Sequence, residues 1–223
     1  MGMGGHMGTN TDLAQLTLAQ WFSPGFPVGG FHFSHGLEWD IETGKVASSE
    51  ALMKWIETAL LYGSGHNDAV LLAAAFRAED GERLGLIDAT ARALAPSRER
   101  LLETTEMGAA FARATSLLLS QDIPALTYPV AVGLSAAQAK LPLLMTLQFY
   151  LQAFAANLVS VGMRLIPVGQ SDGQKVIAAL APTCLDLAKA SQSGDLELLG
   201  GSAFCADIAS MQHETQYSRI FRT

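Results

Sequence analysis

The chain has 223 residues, enough for one sizeable core and for either one or two domains. Nearly half are apolar and 16% are charged, a surplus that points to large buried helices, an oligomer interface or a membrane segment. The formal net charge is −7, and no basic run exists to neutralise phosphates, which argues against nucleic-acid binding.

The opening seven residues lack the charge and hydrophobic length of a targeting signal, and residues 1–11 are expected to be a disordered terminus. From Asp12 to Phe22 the pattern predicts a short amphipathic helix, with Thr11 as N-cap and Leu13, Leu16 and Trp21 at apolar positions. Ser23–Glu38 follows, holding Pro24 and Pro27 with Gly25, Gly29, Gly30 and Gly36, so it can be neither a regular helix nor a central strand. Phe26, Phe31 and Phe33 interleave with these residues and should pack the loop onto the body. A helix then starts near Ser34, its expected N-cap, carries Leu37 and Ile41, and stops at Gly44.

Ser48 or Ser49 caps a helix running to Tyr62, with Leu52, Trp55, Ile56, Ala59 and Leu60 on one face. After Gly63-Ser64-Gly65, Asn67 or Asp68 opens a helix over Ala69–Ala78, and another covers Glu82–Leu94 before Pro96. Ser97 caps a long helix to about Leu119, whose Gly108, Ala112 and Thr115 predict a close neighbour. Leu141–Met163 holds no charge between Lys140 and Arg164, and as a helix would be roughly 35 Å long, enough for a bilayer. Gln148, Gln152 and Asn157 fall near one side, so the expectation is a central helix buried by its neighbours, with Pro142 in its first turn.

A second shaped loop, Arg164–Gln174, feeds a helix capped at Ser171 or Asp172 and broken or kinked at Pro182. A last helix is expected near Ala203–Met211, and residues 212–223 form a polar tail carrying Tyr217, Ile220 and Phe221. No alternating run supports a strand. The reading is all-α, one domain over residues 12–211 with about ten helices, followed by a partner-binding tail.

Chemistry is sparse. His32 and His35 lie three apart without a nearby Cys, Asp or second His pair at ligand spacing, so no metal site is expected. Ser34-His35 lacks the surroundings of a nucleophile, and neither glycine-rich segment continues into Gly-Lys-Ser/Thr. Cys184 and Cys205 are isolated, as in reduced cytoplasmic proteins. Glu38 and Arg164 look like charges at the rims of the two shaped loops, suited to orienting a protein partner. The competing reading is a helical enzyme or small-ligand-binding protein; a large apolar pocket lined by Phe149, Phe154 and Met163 with a perturbed acid would favour it.

Four stretches, Pro27–Glu38, Arg100–Gly108, Arg164–Gln174 and His213–Arg222, resemble in order the urease accessory protein UreF family. Pro-Val-Gly-Gly, Ser-x-Gly-Leu-Glu and the ending His-Glu-x-x-Tyr-Ser-Arg-x-Phe carry most of the likeness. His32-Phe33 and His35 stand where relatives often have other residues, so neither histidine takes a role from it. The resemblance implies an all-α, homodimeric, cytoplasmic, non-enzymatic chaperone without a cofactor of its own, without nucleic-acid or membrane partners. Its partners would be UreD/UreH, the GTPase UreG and apo-urease, the assembly coupling GTP hydrolysis to nickel delivery. The residues expected to meet partners are Ser34, Gly36, Glu38, Arg164, Gln170, Glu214, Tyr217, Arg219 and Phe221. Glu38 and Arg164 would face UreG, while Tyr217 and Arg219 in the tail would anchor UreD/UreH.

Overall fold

Leu147, Leu151, Leu158 and Val159 share one face of a helix, Leu143–Leu165, and none of them reaches solvent. The rest of the chain is wrapped around that face. The computed structural model describes residues 6–222, with ten α-helices and no strand among them. In chain order these are α1 His6–Trp21, α2 Leu37–Glu42, α3 Ser49–Tyr62, α4 Ser64–Phe76 and α5 Gly81–Ala93; then α6 Arg98–Leu119, α7 Tyr128–Gln138, α8 Leu143–Leu165, α9 Gln170–Ala190 and α10 Phe204–His213. Two short 3-10 turns, Gly30–His32 and Leu196–Leu198, sit in the connections.

Caps placed by the sequence hold. The Ser48 hydroxyl accepts from Ala51 N–H at the head of α3, and Ser97 accepts from Arg100 N–H at the head of α6. Other boundaries move. Residues 1–5 of the expected disordered terminus lie outside the described residues, but the chain is already helical from His6, so Thr11 is not an N-cap. The buried side of α1 is Ala14, Leu18 and Trp21, whereas Leu13 and Leu16 point outward. Helix α4 starts at Ser64, because Gly63 terminates α3 and leads directly into the next helix. Pro142 is the N-cap of α8 rather than a first-turn residue. Helix α9 runs unbroken through Pro182, with Gly169 before it rather than Ser171 or Asp172 as its cap.

The stretch between residues 120 and 140, for which no helix was expected, forms α7, with Pro129 in its first turn. It packs against α4 and α6 at very short range. A Cβ on Gly133 would strike the Leu72 carbonyl and come within 2.9 Å of Ala75 Cβ in α4. One on Gly108 of α6 would meet the Leu126 carbonyl and, at 2.7 Å, Tyr128 N at the start of α7. The neighbour foreseen for the small face of α6 is therefore α7.

Helix α8 is the one described helix long and apolar enough to cross a membrane. It packs on α9, α3, α4 and α2, but it is not buried all round. Ala155 is inaccessible, whereas Ala153, Ala156, Asn157 and Ser160 line a cavity. Its lack of charge thus serves a core on one side and a cavity wall on the other.

Gly133→Ala is expected to destabilise the fold by about 2 kcal/mol or more, because two helix backbones must separate. Gly85→Ala, within α5 and with nothing within 4 Å of the added carbon, should stabilise by about 0.5–1 kcal/mol. Urea unfolding of both variants measures the contrast; equal effects would contradict the close α4–α7 packing.

Candidate functional site

The two shaped loops and the tail converge on one side of the α8 end. Gly36, with φ +82°, precedes α2, and a Cβ there would come within 2.5 Å of Ser210 N in α10. Only a residue without a side chain lets α10 cross at this height. Ser34 is fully buried and is not the cap; the helix begins at Leu37 behind Gly36.

Glu38 is also buried, at 4% exposure, which corrects its reading as a rim charge. Its Oε1 accepts from Ile220 N–H (2.7 Å), and its Oε2 from Phe221 N–H and His213 Nε2 (3.0 Å each). The His213 ring is inaccessible, and its Nδ1 faces Glu99 Oε2 at 2.6 Å. Arg219 then pairs with Glu99 Oε1, Arg98 with Glu214, and Arg222 with Glu106. The tail, expected to bind a partner, is fastened to α2 and α6 of its own chain.

Arg164 is exposed. Its guanidinium donates to the Phe31 carbonyl at 3.2 Å and lies 4.4 Å over the ring of Phe221, itself buried. Phe31 and His32 stack beside it, with centroids 4.1 Å apart, and both face solvent. The Arg222 N–H donates to the His32 carbonyl, joining tail to loop. Tyr217 and Ile220 point fully or largely outward. Gln170 is exposed at the start of α9, and no side-chain hydrogen bond among the described residues ties it or Tyr217 to this set. Of the nine expected residues, the structure draws Ser34, Gly36, Glu38, Arg164, Glu214, Arg219 and Phe221 into one framework, leaving Tyr217 projecting from it.

A second polar cluster lies beneath the loop. His35 (φ +58°) places Nε2 2.8 Å from Glu103 Oε1, and Arg100 pairs with Glu103 Oε2. Tyr150 donates to Asp68 Oδ2 at 2.7 Å. Burial opposes the Glu103 charge, but Arg100 and then His35 outweigh it and hold the carboxyl at about 2. Asp68 goes the other way: burial exceeds the pull of Arg100 and the Tyr150 hydroxyl and pushes it up to about 6. Some of its surface remains accessible, facing two cavities of about 220 and 290 Å³ that share Asp68, His35, Arg100 and Thr104. The larger is lined by Phe154 but not by Phe149 or Met163; Met163 packs instead at Gly173.

Glu99, Arg100, Glu103 and His213 were given no site role from the sequence, and Asp68 only that of opening a helix. The available signal was that Arg100, Glu103 and Phe111 share the buried face of α6, where a charge needs a partner. Among the described residues no group of three His, Cys, Asp or Glu side chains suits a metal ion.

A family model described as UreF matches residues 46–181. The urease accessory protein UreF of Roseobacter denitrificans is 50% identical over 212 residues, covering 94% of each chain. That of Ruegeria pomeroyi is 46% identical over 217 residues, 97% of this chain and all of its own. That of Cereibacter sphaeroides (strain KD131) is 48% identical over 210 residues, 94% of this chain and 99% of its own.

Two measurements test the site. Glu38→Ala leaves a buried imidazole and two N–H groups without their acceptor, and should cost about 3 kcal/mol in urea unfolding; a near-zero change would show that the tail is not fixed through this carboxylate. The native state holds a proton on Asp68 that the unfolded chain has released above about 3.8, so stability from this group falls as pH rises towards about 6 and stays lost above it. Asp68→Asn should therefore be more stable than the parent at pH 8, by on the order of 2 kcal/mol, with the gain fading near pH 4.

Proposed function

The chain belongs to the UreF family of urease accessory proteins, and on that premise we propose that it is a non-enzymatic chaperone that joins UreD/UreH and recruits the GTPase UreG to apo-urease. Nickel is the cargo of that assembly and GTP hydrolysis by UreG drives its delivery; this chain supplies surfaces. The observation that carries the reading is the convergence of the signature loop, the end of α8 and the C-terminal tail on one rigid framework. A docking surface needs anchors held before the partner arrives, since ordering them on contact weakens affinity.

The framework supplies two such sets. Tyr217 and Ile220 project from a tail whose backbone N–H groups are held by Glu38, and exposed aromatic and apolar anchors suit UreD/UreH. Arg164 has its guanidinium positioned by Phe31 and Phe221, with no carboxylate within ion-pair distance among the described residues, and suits an acidic group on UreG. Glu38 acts by positioning and not by touching the partner. A cytoplasmic homodimer belongs to the same reading: Phe204, Ile208 and Met211, on one side of α10, expose an apolar stripe that association would cover.

Capture of UreD/UreH by the purified chain, followed by addition of UreG, tests the proposal. Tyr217→Ala combined with Ile220→Ser should weaken UreD/UreH capture about 30-fold, roughly 2 kcal/mol, without lowering thermal stability. Arg164→Ala should weaken UreG recruitment to the preformed pair. Full-strength capture by both variants would reject this surface as the docking site.

A further inference from the structure

Beneath the signature loop, the cavity of about 290 Å³ is walled by Trp21, Phe22, Phe26, Tyr128 and Phe154, with Asp68, His35 and Arg100 also in its lining. That polar floor has acceptors left over. The side chain of Arg100 is 9% exposed and borders the cavity, its Nη1 being ion-paired with Glu103. His35 donates from Nε2 to Glu103, and both burial and the Arg100 charge favour the neutral ring, so Nδ1 is a lone pair; that atom is buried without a partner. Asp68 uses Oδ2 for Tyr150, while Oδ1 makes no hydrogen bond among the described residues.

Charge narrows the chemistry. Arg100 already faces Glu103 and interacts with Asp68, so a bound anion would meet two carboxylates and a cation would meet the guanidinium. The floor is matched by a neutral group that offers an acceptor to Arg100 and N–H donors to Asp68 and His35. A primary carboxamide has that pattern, and the aromatic walls suit a flat apolar body.

We propose that this cavity binds a small planar molecule bearing a neutral primary carboxamide, its carbonyl oxygen on Arg100 and its N–H groups on Asp68 and His35. The site lies under the loop and operates whether or not a protein partner is docked.

Benzamide is the probe, with benzoate and benzylammonium as charged analogues of similar size, titrated into the full chain at neutral pH and followed by ligand-observed NMR. Benzamide should bind saturably, with both charged analogues about tenfold weaker or worse. Ala156→Phe, which fills the cavity from α8, should weaken benzamide by about tenfold or more. Arg100→Lys keeps the charge against Glu103 but loses the fork of donors, and should have a similar effect even if Ala156→Phe does not fold. Absence of saturable benzamide binding up to about 10 mM, equal binding of either charged analogue, or unchanged binding in a folded variant would overturn the proposal.

Discussion

A carboxylate inside a helical body must be surrounded by donors, and Glu38 draws its donors from the far end of the chain. Its side chain accepts from His213, Ile220 and Phe221. Those contacts fix the last turn of α10 and the tail against α2, and they determine where Phe221 enters the core. Phe221 in turn supports Arg164 at the end of α8. The loop, the central helix and the tail thus share one electrostatic requirement. Charge is placed inside so that surface side chains outside it stand still.

Close backbone approach is the second condition, and glycine meets it. Gly36 admits α10, Gly108 admits the lead into α7, and Gly133 admits α4. Such approaches leave no room for a side chain at these positions, while aromatic residues gather near α1, α6 and the signature loop. The aromatic cavity lies there, with Trp21, Phe26 and Tyr128 ranged around Phe111 at centroid distances of 5.4–5.7 Å. Tight packing at Gly108 and the open chamber beside Thr104 adjoin on the same face of α6.

Much of this was legible in the sequence where the signal is local. Ser48 and Ser97 announce helices because a hydroxyl one position outside a helix meets an orphan N–H, a relation spanning only three residues. The Pro- and Gly-rich loop and the long charge-free helix were equally plain. Helix α7 escaped because its Ala, Val, Gly and Ser residues are buried almost all round, which erases the amphipathic period. Glu38 was misjudged for a different reason. Its neighbours in sequence are compatible with a surface, and the partners that bury it lie more than 170 positions away. Arg100 and Glu103 share a helix face, but nothing local says that His35 and Asp68 close around them.

The bond between Glu38 and Phe221 spans 183 positions. On a ribosome, α2 emerges long before the residues that satisfy it, which lie more than 170 positions further along the chain. Until they follow, this carboxylate has water for company, and the cleft that will hold the tail stays open. A product that stops before Ile220 therefore lacks two of the donors that close this cleft, however well its helices have formed.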